Sequence, residues 1–154
     1  MRLALYQPDI PQNTGTILRL AACMAVAVDV IGPAGFDLSD RTLKRAGLDY
    51  LQHVELLRHV SWEDYLAWRA ARDAPGRLVL LSARGERGYT EFAFAADDTL
   101  LLGRESAGVP DAVRAMADAT IFIPMRAGLR SLNIAVAAAM ALGEALRQTG
   151  SFPE

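Results

Sequence analysis

Ile121-Phe-Ile-Pro-Met-Arg-Ala-Gly-Leu-Arg130-Ser-Leu-Asn-Ile-Ala-Val-Ala-Ala-Ala-Met140 reads as a strand, a glycine loop and a helix in succession. A short apolar strand stops at Pro124, because proline cannot donate to a β ladder. The loop carries Arg126, Gly128 and Arg130. Ser131 and Asn133 then open a helix that is apolar on every side from Ile134 to Leu142. Such a helix is expected to be buried all round. Its first turn brings unpaired backbone N–H groups to the edge of a deep core. Strand end, glycine loop and helix start make a place to hold a small molecule; the plainer alternative is that Ser131 only caps the helix.

Working outward, strands and helices alternate. Strands are expected at Leu3–Tyr6, Ala27–Ile31, His53–Leu57, Leu78–Leu81, Thr99–Leu102 and Thr120–Ile123. Helices are expected from Pro11 to about Met24, from Ser39 or Asp40 through Ala46, from Ser61 to about Arg72, from Pro110 to about Met116 and from Ser131 to Gln148. Leu78-Val-Leu-Leu and Leu100-Leu-Leu are continuously apolar, the mark of strands covered on both faces. The alternation implies an α/β fold with a mostly parallel sheet flanked by helices. One domain is expected over residues 1–150, with 151–154 as a tail.

Composition narrows the chemistry. The chain has 154 residues, 52% of them apolar, enough for one domain with a real core. No run approaches the ~18 apolar residues of a membrane span, and the first residues enter a strand pattern at once, as in a cytoplasmic protein. The single Cys23 excludes an internal disulfide and a cysteine metal cluster. His53 and His59 are too few for a histidine metal site and read as structural, so no metal is expected. A net charge of −2 does not announce a nucleic-acid binder, so any RNA footprint must be local. Candidate phosphate contacts are Arg41, Lys44 and Arg45, then Arg84 and Arg87, then Arg126 and Arg130; each group reads equally well as a solvated charged face.

Familiar nucleotide motifs are missing. Gly103-Arg-Glu-Ser-Ala-Gly108 has the glycine spacing of a Walker loop but continues Val-Pro, with no lysine to reach a phosphate. No G-x-G-x-x-G follows the first strand, and no G-x-S-x-G elbow occurs. What remains is three loops after strands: Leu81-Ser-Ala-Arg-Gly85, Leu102–Gly108 and Ile123-Pro-Met125. In open parallel sheets, ligands bind beyond the carboxyl ends of strands. Small residues there let backbone amides approach a flat ring, although Gly103 and Gly108 also serve as ordinary turn punctuation.

These residues carry a family resemblance. Ile10-Pro-Gln-Asn-Thr-Gly-Thr-Ile-Leu-Arg19-Leu-Ala, Leu102-Gly-Arg-Glu-Ser-Ala-Gly-Val-Pro and Ile123-Pro-Met through Arg130-Ser-Leu-Asn-Ile resemble, in order, the three motifs of the SPOUT RNA 2′-O-methyltransferases. Lys44-Arg-Ala-Gly-Leu-Asp-Tyr50 resembles the minimal members that methylate the wobble ribose of tRNA. The resemblance implies a deep trefoil knot in the C-terminal half, a homodimer through the last helix, and S-adenosylmethionine as cofactor. Carried over by position, Leu81, Gly103, Ile123 and Ser131 contact the cofactor, with Leu132 joining through its backbone. Glu105, in the same loop as Gly103, is grouped with these cofactor-binding residues and orients either the loop backbone or the ribose. Arg19, Asn13 and Asn133 are the candidate catalytic residues. Arginine stays protonated in proteins, so Arg19 is read as a phosphate and ribose clamp, not a base. Asn13 either caps its helix or touches RNA. Arg104, Ala135, Gly143 and Leu146 depart from the family pattern. Alternatives are methylation at another tRNA or rRNA site and a non-catalytic RNA-binding module of the same fold.

Overall fold

A computed structural model describes residues 1–39, 41 and 50–154. The helix expected from Ser39 or Asp40 through Ala46, and with it Lys44 and Arg45, lies outside these residues apart from its first positions.

Seven strands form one sheet: β1 (Arg2–Tyr6), β2 (Ala27–Ile31), β3 (Leu56–His59), β4 (Leu78–Leu81), β5 (Arg87–Gly88), β6 (Thr99–Leu102) and β7 (Ala119–Phe122). Their spatial order is β3-β2-β1-β6-β4-β7-β5, and every pairing is parallel. Among the described residues four helices flank it: α1 (Pro11–Cys23), α2 (Trp62–Ala70), α3 (Asp111–Ala115) and α4 (Ile134–Thr149). Successive side chains of a strand face opposite sides. Leu100 and Leu102 of β6 therefore join a core beneath α1 and α4, while Leu101 joins Tyr65 of α2 and Val113 of α3 on the other face. Both faces are covered, as the unbroken apolar strands require.

Several boundaries differ from expectation. The strand placed at His53–Leu57 runs instead from Leu56 to His59, after a 3-10 turn at Leu51–His53. His59 is buried at the end of this strand, its Nε2 meeting Asp29 Oδ1 at 2.9 Å. Asp29, wholly buried in β2, also takes a forked pair from Arg2 at 2.8 and 3.3 Å. A buried carboxylate needs such partners. The last strand begins and ends one residue early, and the two-residue β5 was not foreseen.

The last helix starts at Ile134 and is capped by Asn133, whose Oδ1 accepts from Ala135 N at 2.9 Å and Val136 N at 3.4 Å. Ser131 is not the cap. Nor is α4 buried all round. Ala138, Ala141, Leu142 and Ala145 are fully covered, but Val136 is 50% and Met140 38% exposed. The helix lies with one face against the sheet and α1, and its chain supplies nothing for the other face among the described residues.

Candidate functional site

The carboxyl ends of β4, β6 and β7 open into one cavity of about 520 Å3, within the ~300–1,000 Å3 of typical ligand sites. Its walls are the three loops singled out in the sequence, together with the segment before α4 and the first turn of α1. Leu81, Gly103, Glu105, Ile123, Ser131, Leu132, Asn13 and Asn133 all line it. Residues more than a hundred positions apart in the chain thus meet at one place.

Local chemistry explains the shape. The loop after β6 folds back on itself: Arg104 N donates to Gly108 O at 3.0 Å and Gly108 N to Arg104 O at 2.7 Å. A Cβ on Gly103 would lie 2.8 Å from the Gly108 carbonyl carbon, so only glycine fits there. Gly108 sits at φ +66°, where glycine is free of the penalty other residues meet. The loop after β4 is held by Arg114 of α3, which donates to Ser82 Oγ at 3.2 Å and to the Arg84 carbonyl. Arg84, Arg104 and Arg114 against Glu105 leave the lining net positive, in a chain that is net negative.

A line of polar side chains runs along the rim. Asn133 Nδ2 donates to Asn13 Oδ1 at 2.9 Å, and Asn13 Nδ2 reaches Glu105 Oε1 at 3.5 Å. Glu105 Oε2 accepts from the Asp9 backbone N at 3.0 Å. Burial, then the neighbouring Asp9 carboxyl, push the Glu105 carboxyl above its ordinary range. Its contacts with Glu105 and Ser106 hold Asp9 below the ordinary range. Asn13 does not cap α1, whose N-cap position is Ile10 with no side-chain bond.

Arg19 is not part of the cavity wall of its own chain. It is exposed on α1, with its guanidinium 4.8 Å above the Tyr50 ring and Nη2 3.5 Å from the Tyr50 hydroxyl. Six residues separate it from Asn13, roughly 9 Å along the helix. Arg126 and Arg130 are exposed in the segment that leads to Ser131, and Arg41 is exposed as well. Sequence reading missed Asp9 and Arg114. Neither announces itself: Asp9 sits in an ordinary loop, and Arg114 lies on a short helix with no motif around it.

The cavity's composition suits S-adenosylmethionine. Leu81 and Ile123 offer apolar cover, the glycine and serine loops bring main-chain polar groups close, and the volume is adequate. Among the described residues no group of three or more His, Cys, Asp or Glu is arranged to hold a metal ion.

Comparison with known proteins agrees with this geometry. The chain is 60% identical over 150 residues to the tRNA (cytidine(34)-2′-O)-methyltransferase of Beijerinckia indica, covering 97% of this chain and 92% of that protein. It is 51% identical to the enzyme of the same name from Ancylobacter novellus, over 99% and 95% of the two chains. A solved structure described as "Structural insights into the 2-OH methylation of C/U34 on tRNA" matches with a TM-score of 0.87 at 46% identity, over 96% of this chain and 94% of that one. The SpoU methyltransferase AviRb from Streptomyces viridochromogenes, in complex with AdoMet, matches with a TM-score of 0.87 at 33% identity, over 96% of this chain and 60% of that one. Residues 1–143, which include β1, α1, all three cavity loops and the start of α4, match the SpoU rRNA Methylase family, and this chain belongs to that family.

Proposed function

We propose that this protein uses S-adenosylmethionine to methylate the ribose 2′-OH of the wobble nucleotide of tRNA, a cytidine or a modified uridine. The observation that carries the reading is the single cavity at the ends of β4, β6 and β7, with Asn13, Glu105 and Asn133 on its rim. The wobble position is supported by relatives of that name matched nearly end to end. We read residues 1–150 as one catalytic domain, 151–154 as an exposed tail, and the cytoplasm as its place of action. Among the described residues no helix is long and apolar enough to cross a membrane.

When bound, the cofactor supplies a methyl group already activated on a sulfonium. The protein's task is then alignment, which alone is worth several kcal/mol. In this reading Leu81, Gly103, Ile123, Ser131 and the Leu132 backbone hold the cofactor. Asn13 and Asn133 orient the target ribose, and Arg19 clamps a flanking phosphate. The substrate phosphate helps take the hydroxyl proton, since arginine stays protonated. Arg41, Lys44, Arg45, Arg126 and Arg130 are the proposed contacts to the anticodon stem-loop. Nucleoside mass spectrometry tests the reading: the purified protein with S-adenosylmethionine should restore 2′-O-methylation at position 34 in tRNA from a strain lacking the gene. Methylation at another tRNA position, or of rRNA alone, would favour the alternative substrates.

The knot and the dimer belong to this reading. Strand β7 lies beyond β4, yet the chain returns so that α4 packs against α1 and β6; this recrossing supports a threaded C-terminal segment. The exposed Leu132, Val136 and Met140 support a second copy packed on α4, with about 800 Å2 buried per partner in a stable interface. Ala138, fully buried in its own chain, is a core position and no test of assembly. Val136→Glu places the charge on the exposed face. It should convert the dimer to a folded monomer in sedimentation, and a wild-type monomer at micromolar concentration would refute the assembly.

A further inference from the structure

Asn133 fixes the direction of a whole line of hydrogen bonds. The first turn of α4 offers it only N–H groups, so its oxygen faces Ala135 and Val136 and its Nδ2 must donate outward. Asn13 therefore presents Oδ1 to Asn133 and is left with its own Nδ2 toward Glu105. Glu105 meets donors at both oxygens, the Asn13 amide and the Asp9 backbone N–H. Those contacts suit an ionised carboxylate. A proton on either oxygen would set donor against donor.

The place for such a proton lies next door. Asp9 Oδ2 accepts from the Ser106 hydroxyl, while Asp9 Oδ1 is buried without a hydrogen-bond partner. We infer that Asp9 is a positioning residue of the proposed methyl transfer: on proton uptake its carboxylate captures the Glu105 O–H, drawing Glu105 away from Asn13, freeing the Asn13 amide and changing the surroundings of its partner Asn133. The proton comes from solvent and returns there as pH rises, with no other bond made or broken. The inference rests on the reading of the site given above.

The charges facing the pair agree. Arg104, anchored to Gln7 Oε1, favours an ionised Asp9, and α1 and α4 contribute the neutral amides of Asn13 and Asn133. Burial and Asp9 together raise the Glu105 carboxyl, so in the pair it is Glu105 that takes the proton as pH falls. Removing the Asp9 charge lets Glu105 return part of the way toward the ordinary carboxylate range, burial keeping the rest of the shift.

Side-chain amide NMR of Asn13 and Asn133 across acidic and neutral pH tests this directly. In the wild type both amides should shift with one common midpoint. In Asp9→Asn that midpoint should fall. In Glu105→Gln, which cannot ionise, neither amide should titrate. An unchanged midpoint in Asp9→Asn, separate midpoints in the wild type, or titration that persists in Glu105→Gln would overturn the proposal. If Asp9→Asn does not fold, the wild type and Glu105→Gln still decide. The acid limb of the single-turnover methylation profile should move with the amide midpoint, and a limb that stays in place while the amides move refutes the positioning role. A wild type that methylates no tRNA at any pH strikes the functional reading instead, and the amide titration then judges the relay by itself.

Discussion

Gly103→Val is expected to raise the Kd for S-adenosylhomocysteine more than about a hundredfold, a loss of ~2.7 kcal/mol. The cause is the loop and not the bulk of the valine. Any Cβ at this position meets the Gly108 carbonyl carbon at 2.8 Å and its Cα at 2.9 Å, both backbone atoms that cannot rotate away. The paired Arg104 and Gly108 hydrogen bonds must then open, and the cavity wall moves with them. Gly103→Ala should therefore bind nearly as badly as the valine variant. Gly108→Ala is the contrast: nothing lies within 4 Å of its Cβ, and only the left-handed backbone penalty of about 1–2 kcal/mol applies. Calorimetry on variants that keep their wild-type circular dichroism decides the matter. Wild-type affinity in Gly103→Ala would show that the loop does not form the cofactor wall.

Arg19→Ala is expected to lower single-turnover methyl transfer by about a hundredfold or more, with fold and cofactor affinity nearly intact. The side chain is exposed and lies outside the cavity, so its removal disturbs neither core nor cofactor. Arg19→Lys should rescue poorly, because an ammonium cannot make the forked contact to phosphate that a guanidinium makes. Tyr50 holds the guanidinium by its ring face, so Tyr50→Phe should cost little and Tyr50→Ala more. A rate within about twofold of wild type for Arg19→Ala would remove the clamp from the mechanism.

The alternation of strands and helices was legible because β4 is apolar throughout and β1 and β6 are apolar after their first residue, and Gly or Pro lies close to their ends. The cavity was legible as three loops, since small residues after apolar strands carry their own meaning. Other features depend on partners distant in sequence. His59 belongs to a strand only because Asp29 lies beneath it. Strand β5 exists only because β7 offers an edge to two residues. Asp9 gains its role from Glu105, 96 residues away. The burial of α4 was overread: period and composition reveal an apolar surface but not what covers it.

The hydrogen bond from Asn133 to Asn13 spans 120 residues. It closes the rim between nearly opposite ends of the chain, so the site has no partial form. A nascent chain ending before residue 131 would contain all seven strands but lack the cavity wall that residues 131–137 supply. Such long-range closure is slow compared with local helix formation. During synthesis the protein is therefore expected to stay inert until its last helix has left the ribosome and docked. A ligand that binds only the finished form would stabilise it by mass action against reopening. Chains truncated or stalled before this point would lack part of the cavity wall.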